Sequence, residues 1–214
     1  MKIKLCGVRN VRDAQACAAA GADEIGVVFA KESKRRVSVA EAKAIRAALP
    51  EAVRLVGVFQ DPTLEELIEA RQAAGLAILQ IHGAVPGGLT GIPGLPLCRA
   101  VQVRGAPMLQ KALRDTRGFD RVLLDGPLGG GSGSGFDWHL GAEARNHFAG
   151  RIFIAGGLTP GNVGQAILAA KPDGVDVSSG IEGPDGFKDH AKVRAFVAAA
   201  RTASGPSPGR PAPP

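Results

Sequence analysis

Short apolar and β-branched runs alternate with alanine-rich stretches of helical period along almost the whole chain. The runs at residues 2–6, 24–28, 53–59, 77–81, 97–103, 120–125, 151–155 and 174–177 have the length and composition of buried strands. Between them, residues 10–20, 39–49, 63–74, 107–115, 138–147, 161–170 and 188–202 carry apolar side chains at helical spacing. Such alternation implies a parallel sheet with right-handed crossovers. Eight units within 214 residues fit a single α/β chain folded as a (β/α)8 TIM barrel better than an open doubly wound sheet. The fourth unit is the weakest. Residues 84–96 carry four glycines and three prolines, so that helix is expected to be short, irregular or missing. The expected catalytic domain is 1–203, followed by a disordered Pro/Gly/Ser-rich tail at 204–214.

Composition narrows the partners. The chain is 45% hydrophobic, ordinary for a globular protein, and its apolar runs fall far short of the roughly 18 residues of a membrane span. Met1 leads directly into a strand-like segment without a signal or transit pattern, so the expected location is cytoplasmic and no membrane partner is expected. Cys6, Cys17 and Cys98 are an odd number without CxxC spacing, which argues against a disulfide framework and a structural zinc site. The net charge of +6 would suit an anionic partner, but aromatics are only 4% and tyrosine is absent. A nucleic-acid surface would need more stacking area, so the expected partner is a small phosphorylated molecule, bound by a monomer or a homodimer.

In a barrel of this kind the C-terminal strand ends form the active face. Cys6 ends the first strand and Asp125 the sixth. Period-two alternation puts Lys2, Lys4 and Cys6 on one side, so the Lys4 ammonium would lie near the thiol and favour its thiolate. Read from the residues alone, Cys6 is either a poised base or a small buried side chain, and Asp125 either an acid or a turn-former before Gly126 and Pro127. The glycine-serine stretch 129–135 reads as a lid or as a solvated linker. Phe136-Asp137-Trp138 would anchor its far end and favours the lid. Gly156 and Gly157 after the seventh strand, with Ser179 and Gly180 after the eighth, form a candidate phosphate cradle of backbone N–H groups. Either turn alone could be no more than a tight turn.

The chain resembles the phosphoribosylanthranilate isomerase family of tryptophan biosynthesis. The resemblance rests on Lys4-Leu5-Cys6-Gly7, Ser33-Lys34-Arg35-Arg36-Val37-Ser38, Gln80-Ile81-His82-Gly83, Phe136-Asp137-Trp138, Ala155-Gly156-Gly157-Leu158-Thr159-Pro160-Gly161-Asn162-Val163, Asp176-Val177-Ser178-Ser179-Gly180-Ile181-Glu182 and Lys188-Asp189. It implies an Amadori rearrangement of N-(5-phosphoribosyl)anthranilate to the 1-deoxyribulose phosphate, without metal or organic cofactor. By position, Asp125 matches the family's general acid and Cys6 its general base. This division of labour calls for Asp125 raised and Cys6 lowered from their ordinary pKa values. Arg35 matches the arginine that holds the anthranilate carboxylate. His82 matches an active-site position, or serves structurally. Asp176 would orient a ribose hydroxyl or the acid network.

The chain departs from the family pattern at Ala84-Val85-Pro86-Gly87-Gly88, where acidic residues and a regular helix usually follow, and at Arg36, where tyrosine is common. Two rival readings share the barrel. One is an isomerase serving both the histidine and tryptophan pathways, although the histidine-pathway relative resembles a two-aspartate arrangement with an acid where this chain has Cys6. The other is a noncatalytic phosphosugar-binding barrel.

Overall fold

The computed structural model describes residues 1–103, 105–114, 116–126 and 137–205. Among them eight parallel strands close in sequence order into a barrel: β1 (Lys2–Cys6), β2 (Glu24–Val28), β3 (Arg54–Gln60), β4 (Ile78–His82), β5 (Leu97–Gln102), β6 (Arg121–Asp125), β7 (Arg151–Ala155) and β8 (Gly174–Val177). Around them lie α1 (Val11–Ala19), α2 (Val39–Ala48), α3 (Leu64–Ala74), α4 (Ala106–Arg114), α5 (His139–Ala144), α6 (Val163–Ala170) and α7 (His190–Ser204). In place of a helix between β4 and β5 stands a 3-10 turn at Leu89–Gly91, as the glycine and proline content of 84–96 anticipates. The expected lid at 129–135 and residues 206–214 of the expected tail lie outside the described residues. No helix among the described residues is long and apolar enough to cross a membrane.

Local chemistry explains where the helices begin. Asn10 caps α1 by accepting from Asp13 N at 2.7 Å, while Ser38 with Glu41 and Thr63 with Glu66 form reciprocal capping boxes on α2 and α3. Each satisfies backbone donors that the first helical turn leaves unpaired. Gly75 ends α3 with φ +65, a left-handed conformation that glycine adopts without a Cβ penalty.

Two hydrophobic layers follow from strand alternation. Ile3, Leu5, Ile25, Leu55, Leu79, Ile81, Val122, Leu124, Ile152, Ile154 and Val175 join the helices in the main core. Val56, Ile78, Cys98, Ala100, Leu123, Phe153 and Ala155 form a separate cluster, on the strand face that points into the barrel. That inner face also holds charge. Arg121 Nη1 donates to Glu24 Oε2 at 2.7 Å and Oε1 at 2.9 Å, both side chains buried, and the guanidinium carbon lies 4.5 Å from the Phe153 ring centroid. The pair links the starts of β2 and β6 across the lower end of the barrel.

Removing one partner of a buried pair strands the other charge, at a cost of about 3–5 kcal/mol. Glu24→Gln is therefore expected to lower the free energy of urea unfolding by that amount, and an unchanged urea midpoint would contradict the pair's structural role.

Candidate active site

A cleft of about 500 Å³ opens at the C-terminal ends of the strands, and Cys6, Arg35, His82, Asp125, Gly156, Gly157, Asp176 and Ser179 all line it. The residues expected from sequence to form the site thus converge, from loops and strands widely separated along the chain. Gly180 does not line the cleft. It packs beneath, where a Cβ would collide with the Leu158 carbonyl oxygen, so glycine there lets the loop after β8 pass against the loop after β7.

Register places the two titrating groups. Cys6 ends β1 opposite Gly26 of β2, and a Cβ on Gly26 would stand 2.7 Å from Cys6 Sγ; the glycine makes room for the thiol. Asp125 ends β6 opposite Ala155 of β7. Beneath both, Lys4 Nζ donates to Asp176 Oδ2 at 2.8 Å, with side chains only 1% and 6% exposed.

This pair and the low-dielectric surroundings shape Asp125, Cys6 and His82. Burial, reinforced by Asp176 and opposed by Lys4, pushes the Asp125 carboxyl up to about 6, the direction expected for an acid. Cys6 differs from expectation: burial raises the thiol above its ordinary value, Asp176 adds to the rise, and the Lys4 charge offsets it only in part. Lys4 is indeed near the thiol, but its charge is already committed to Asp176. His82 is driven down to about 4, first by burial and then by the Lys4 charge, so its ring is neutral at pH 7. Gln80 Nε2 lies 2.8 Å from His82 Nε2, and an amide nitrogen can only donate, which makes that ring nitrogen the acceptor.

Arg35, in the loop between β2 and α2, is not a free arginine. Its Nε and Nη2 donate to Glu182 Oε1 and Oε2 at 2.6 and 2.8 Å. Lys188 Nζ, wholly buried, donates to the same Oε1 at 3.0 Å and to the Ser178 carbonyl at 3.1 Å. Burial alone would raise Glu182, but these two cations overcome it and hold the carboxyl down at about 2. Glu182 and Lys188 occur in the motifs read from sequence, yet nothing in the sequence shows their tie to Arg35, since Arg35 and Glu182 stand 147 residues apart.

Opposite Asp125, the loop after β7 turns through Gly156 at φ +91 and Gly157 at φ +65. A Cβ at Gly156 would approach the Gly126 backbone to 2.6 Å. The N–H groups of Gly156, Gly157, Ser179 and Gly180 have no backbone acceptor among the described residues, and Ser179–Ile181 forms a 3-10 turn whose first N–H groups are free of intrahelical bonds. Together they offer donors suited to an oxyanion. Trp138, just before α5, packs partly buried on the core, and Asp137 before it accepts from His139 N at 3.0 Å; Phe136 and the expected lid at 129–135 lie outside the described residues.

The raised Asp125 carries a stability consequence. Its folded value of about 6 exceeds an unfolded value of about 3.9, so its contribution is fully present below about pH 4 and is lost as pH rises through 6. Asp125→Asn, which removes the charge and keeps the shape, is expected to be more stable than the parent by about 2–3 kcal/mol at pH 8 and equal to it near pH 4. Urea titrations at the two pH values check this, and a pH-independent difference would contradict it.

Comparison with known proteins adds the chemical context. The sequence model of the family described as N-(5'phosphoribosyl)anthranilate (PRA) isomerase matches residues 3–199. The N-(5'-phosphoribosyl)anthranilate isomerase of Pseudomonas putida (strain W619) is 42% identical over 207 residues, covering 95% of this chain and 98% of that protein. The crystal structure of phosphoribosyl anthranilate isomerase from Thermotoga maritima superposes with a TM-score of 0.85 at 37% identity, over 94% of this chain and 98% of the other. A crystal structure of the same kind of enzyme in complex with reduced 1-(o-carboxyphenylamino)-1-deoxyribulose 5-phosphate gives a TM-score of 0.83 at 35% identity, with coverage of 94% and 98%.

Proposed function

The chain belongs to the N-(5'-phosphoribosyl)anthranilate isomerase family, and we propose that it performs this isomerisation in tryptophan biosynthesis with Asp125 as general acid and Cys6 as general base. The observation that carries the assignment is a carboxyl raised to about 6 and a buried thiol lining one cleft, with oxyanion donors on one side and Arg35 on another. The substrate's phosphate takes the N–H groups of Gly156, Gly157 and Ser179, which line the cleft, with Gly180 packed behind them. Its aryl carboxylate takes Arg35, a planar fork suited to that geometry. Asp176 and His82 face the sugar between them.

Asp125 gives its proton to the ribose ring oxygen as the C1–O bond breaks, and the nitrogen lone pair forms the C1=N Schiff base. The Cys6 thiolate then takes the proton from C2, leaving an enolamine. The enolamine tautomerises to the ketone by gaining a proton at C1 and releasing one from the C2 hydroxyl, so the pair ends with one proton as it began, moved from Asp125 to Cys6. Oxidation at C2 balances reduction at C1.

Acid and base must therefore hold one proton between them, placed on Asp125. In the empty site the pKa order places that proton on Cys6 instead, so the working form is a minor tautomer of the prevailing one-proton state. Its share does not change with pH while that state prevails. Every residue assigned here comes from one chain, so a monomer or a homodimer suffices, and we read the enzyme as cytoplasmic from its place in amino-acid synthesis.

Cys6→Ala and Asp125→Asn are each expected to lower kcat by about 10²-fold or more; near-normal turnover in either would remove that residue from its role. In the parent, kcat/KM is expected to fall as pH drops through about 6, where Asp125 gains a second proton for the pair. It should stay level above that and fall again above the ordinary thiol value of about 8.5, where Cys6 loses its proton. A maximum at pH 5 would contradict this order.

A further inference from the structure

Glu182 does not line the cleft, yet it is hydrogen-bonded to the group expected to meet the substrate's carboxylate. A guanidinium has two edges able to donate a parallel pair of N–H bonds, Nε with Nη2 and Nη1 with Nη2. Glu182 occupies the first edge of Arg35 through both carboxylate oxygens. The second edge has no partner among the described residues, and Arg35 lines the cleft. We propose that Glu182 is a positioning residue that, held in place by Lys188, presents the Nη1/Nη2 edge of Arg35 to the aryl carboxylate and so makes the site selective for a carboxylated aromatic amine. This rests on the assignment of Arg35 as the carboxylate-binding residue.

Three features support the arrangement. Glu182 is only 8% exposed and anchored from behind by Lys188 Nζ at 3.0 Å, so it is a fixed support rather than a mobile surface partner. The short segment from Glu182 to Lys188 folds back on itself through an antiparallel bridge, closed by Gly183 N to the Phe187 carbonyl at 2.9 Å, which brings lysine and glutamate together. Gly7, at φ +72, leaves the path for the arginine: a Cβ there would stand 2.5 Å from Arg35 Cδ.

The charge of the cluster matters as well as its shape. Glu182 alone would neutralise Arg35 and weaken its pull on an anion. With Lys188 in the cluster, two cations share one anion, so one positive charge remains for the substrate while the geometry stays fixed. An arginine side chain has many rotamers to lose, and the Glu182 fork fixes it before substrate arrives, which is preorganisation rather than direct contact.

The test compares two competitive inhibitors, reduced 1-(o-carboxyphenylamino)-1-deoxyribulose 5-phosphate and the same molecule without its carboxylate, against the parent, Glu182→Gln and Arg35→Met. Glu182→Gln breaks the two-oxygen fork, and the lost aim of Arg35 is expected to outweigh the extra positive charge left on the cluster. The carboxylated inhibitor is therefore expected to weaken about 10- to 100-fold, the range for a charged hydrogen-bonded contact, and the carboxylate-free inhibitor to be unchanged. Equal weakening of both, or of neither, would overturn the proposal by reducing Glu182 to a structural role or to none. Arg35→Met separates the two levels of the claim. If it loses the same discrimination while Glu182→Gln keeps it, the positioning role fails and Arg35 stands; if Arg35→Met discriminates as the parent does, the carboxylate assignment itself fails and the proposal with it. Should Glu182→Gln not fold, Glu182→Asp keeps the charge one methylene short and is expected to give a smaller loss confined to the carboxylated inhibitor, with loss for both or neither again overturning the proposal.

Discussion

Where β8 closes on β1, the register sets Lys4 opposite Asp176, and their side chains meet at 2.8 Å almost out of reach of solvent. A well-packed hydrophobic pair of similar volume would serve the fold as well or better, because desolvating two charges costs about what their attraction returns. What the ion pair provides is a fixed dipole beneath the cleft. Asp176 pushes Asp125 and Cys6 toward their protonated forms while Lys4 pulls each back, and Lys4 helps to keep His82 neutral. Asp125, Cys6 and His82 are therefore each set partly by the seam that closes the barrel.

The barrel divides its labour by face. Outward side chains of the strands and the buried stripes of the helices form the main apolar core, which carries the fold. The inward face mixes apolar residues with Lys4, Glu24, Gln80, Arg121 and Asp176, all buried. Glu24 with Arg121 closes the lower end, and the Lys4–Asp176 pair lies under the cleft. Such an interior is less stable than an apolar one, but it lets a carboxyl and a thiol sit in low dielectric next to charges that do not move. Reaction chemistry that depends on preorganised charge needs that arrangement.

Most of the fold was legible because period-two and helical periodicity are local. The eight strand positions read from the sequence agree with the observed strands to within a residue or so at each end, and the glycine-rich break after β4 appears as the 3-10 turn at Leu89–Gly91. The convergence of Cys6, Asp125, Arg35, His82, Asp176 and the two glycine turns on one cleft was also readable, since barrel topology alone sends every strand end to one rim. Partnerships were not. That Lys4 gives its charge to Asp176 before Cys6, and that Arg35 is held by Glu182 and Lys188, depends on side-chain contacts across 147 or more residues of chain. The direction of the Cys6 shift was missed for the same reason: proximity to a lysine is visible as alternation, but burial and a competing aspartate are not.

Catalysis at this cleft depends on the order in which Asp125 and Cys6 lose their protons. The most direct measurement is a carbon NMR titration of the free enzyme with Asp125 Cγ and Cys6 Cβ observed from acid to alkaline pH. The expected result is a carboxyl step near 6 and a thiol step above the ordinary value of about 8.5. An Asp125 carboxyl already ionised at pH 4, or a Cys6 thiolate present throughout the neutral range, would contradict it.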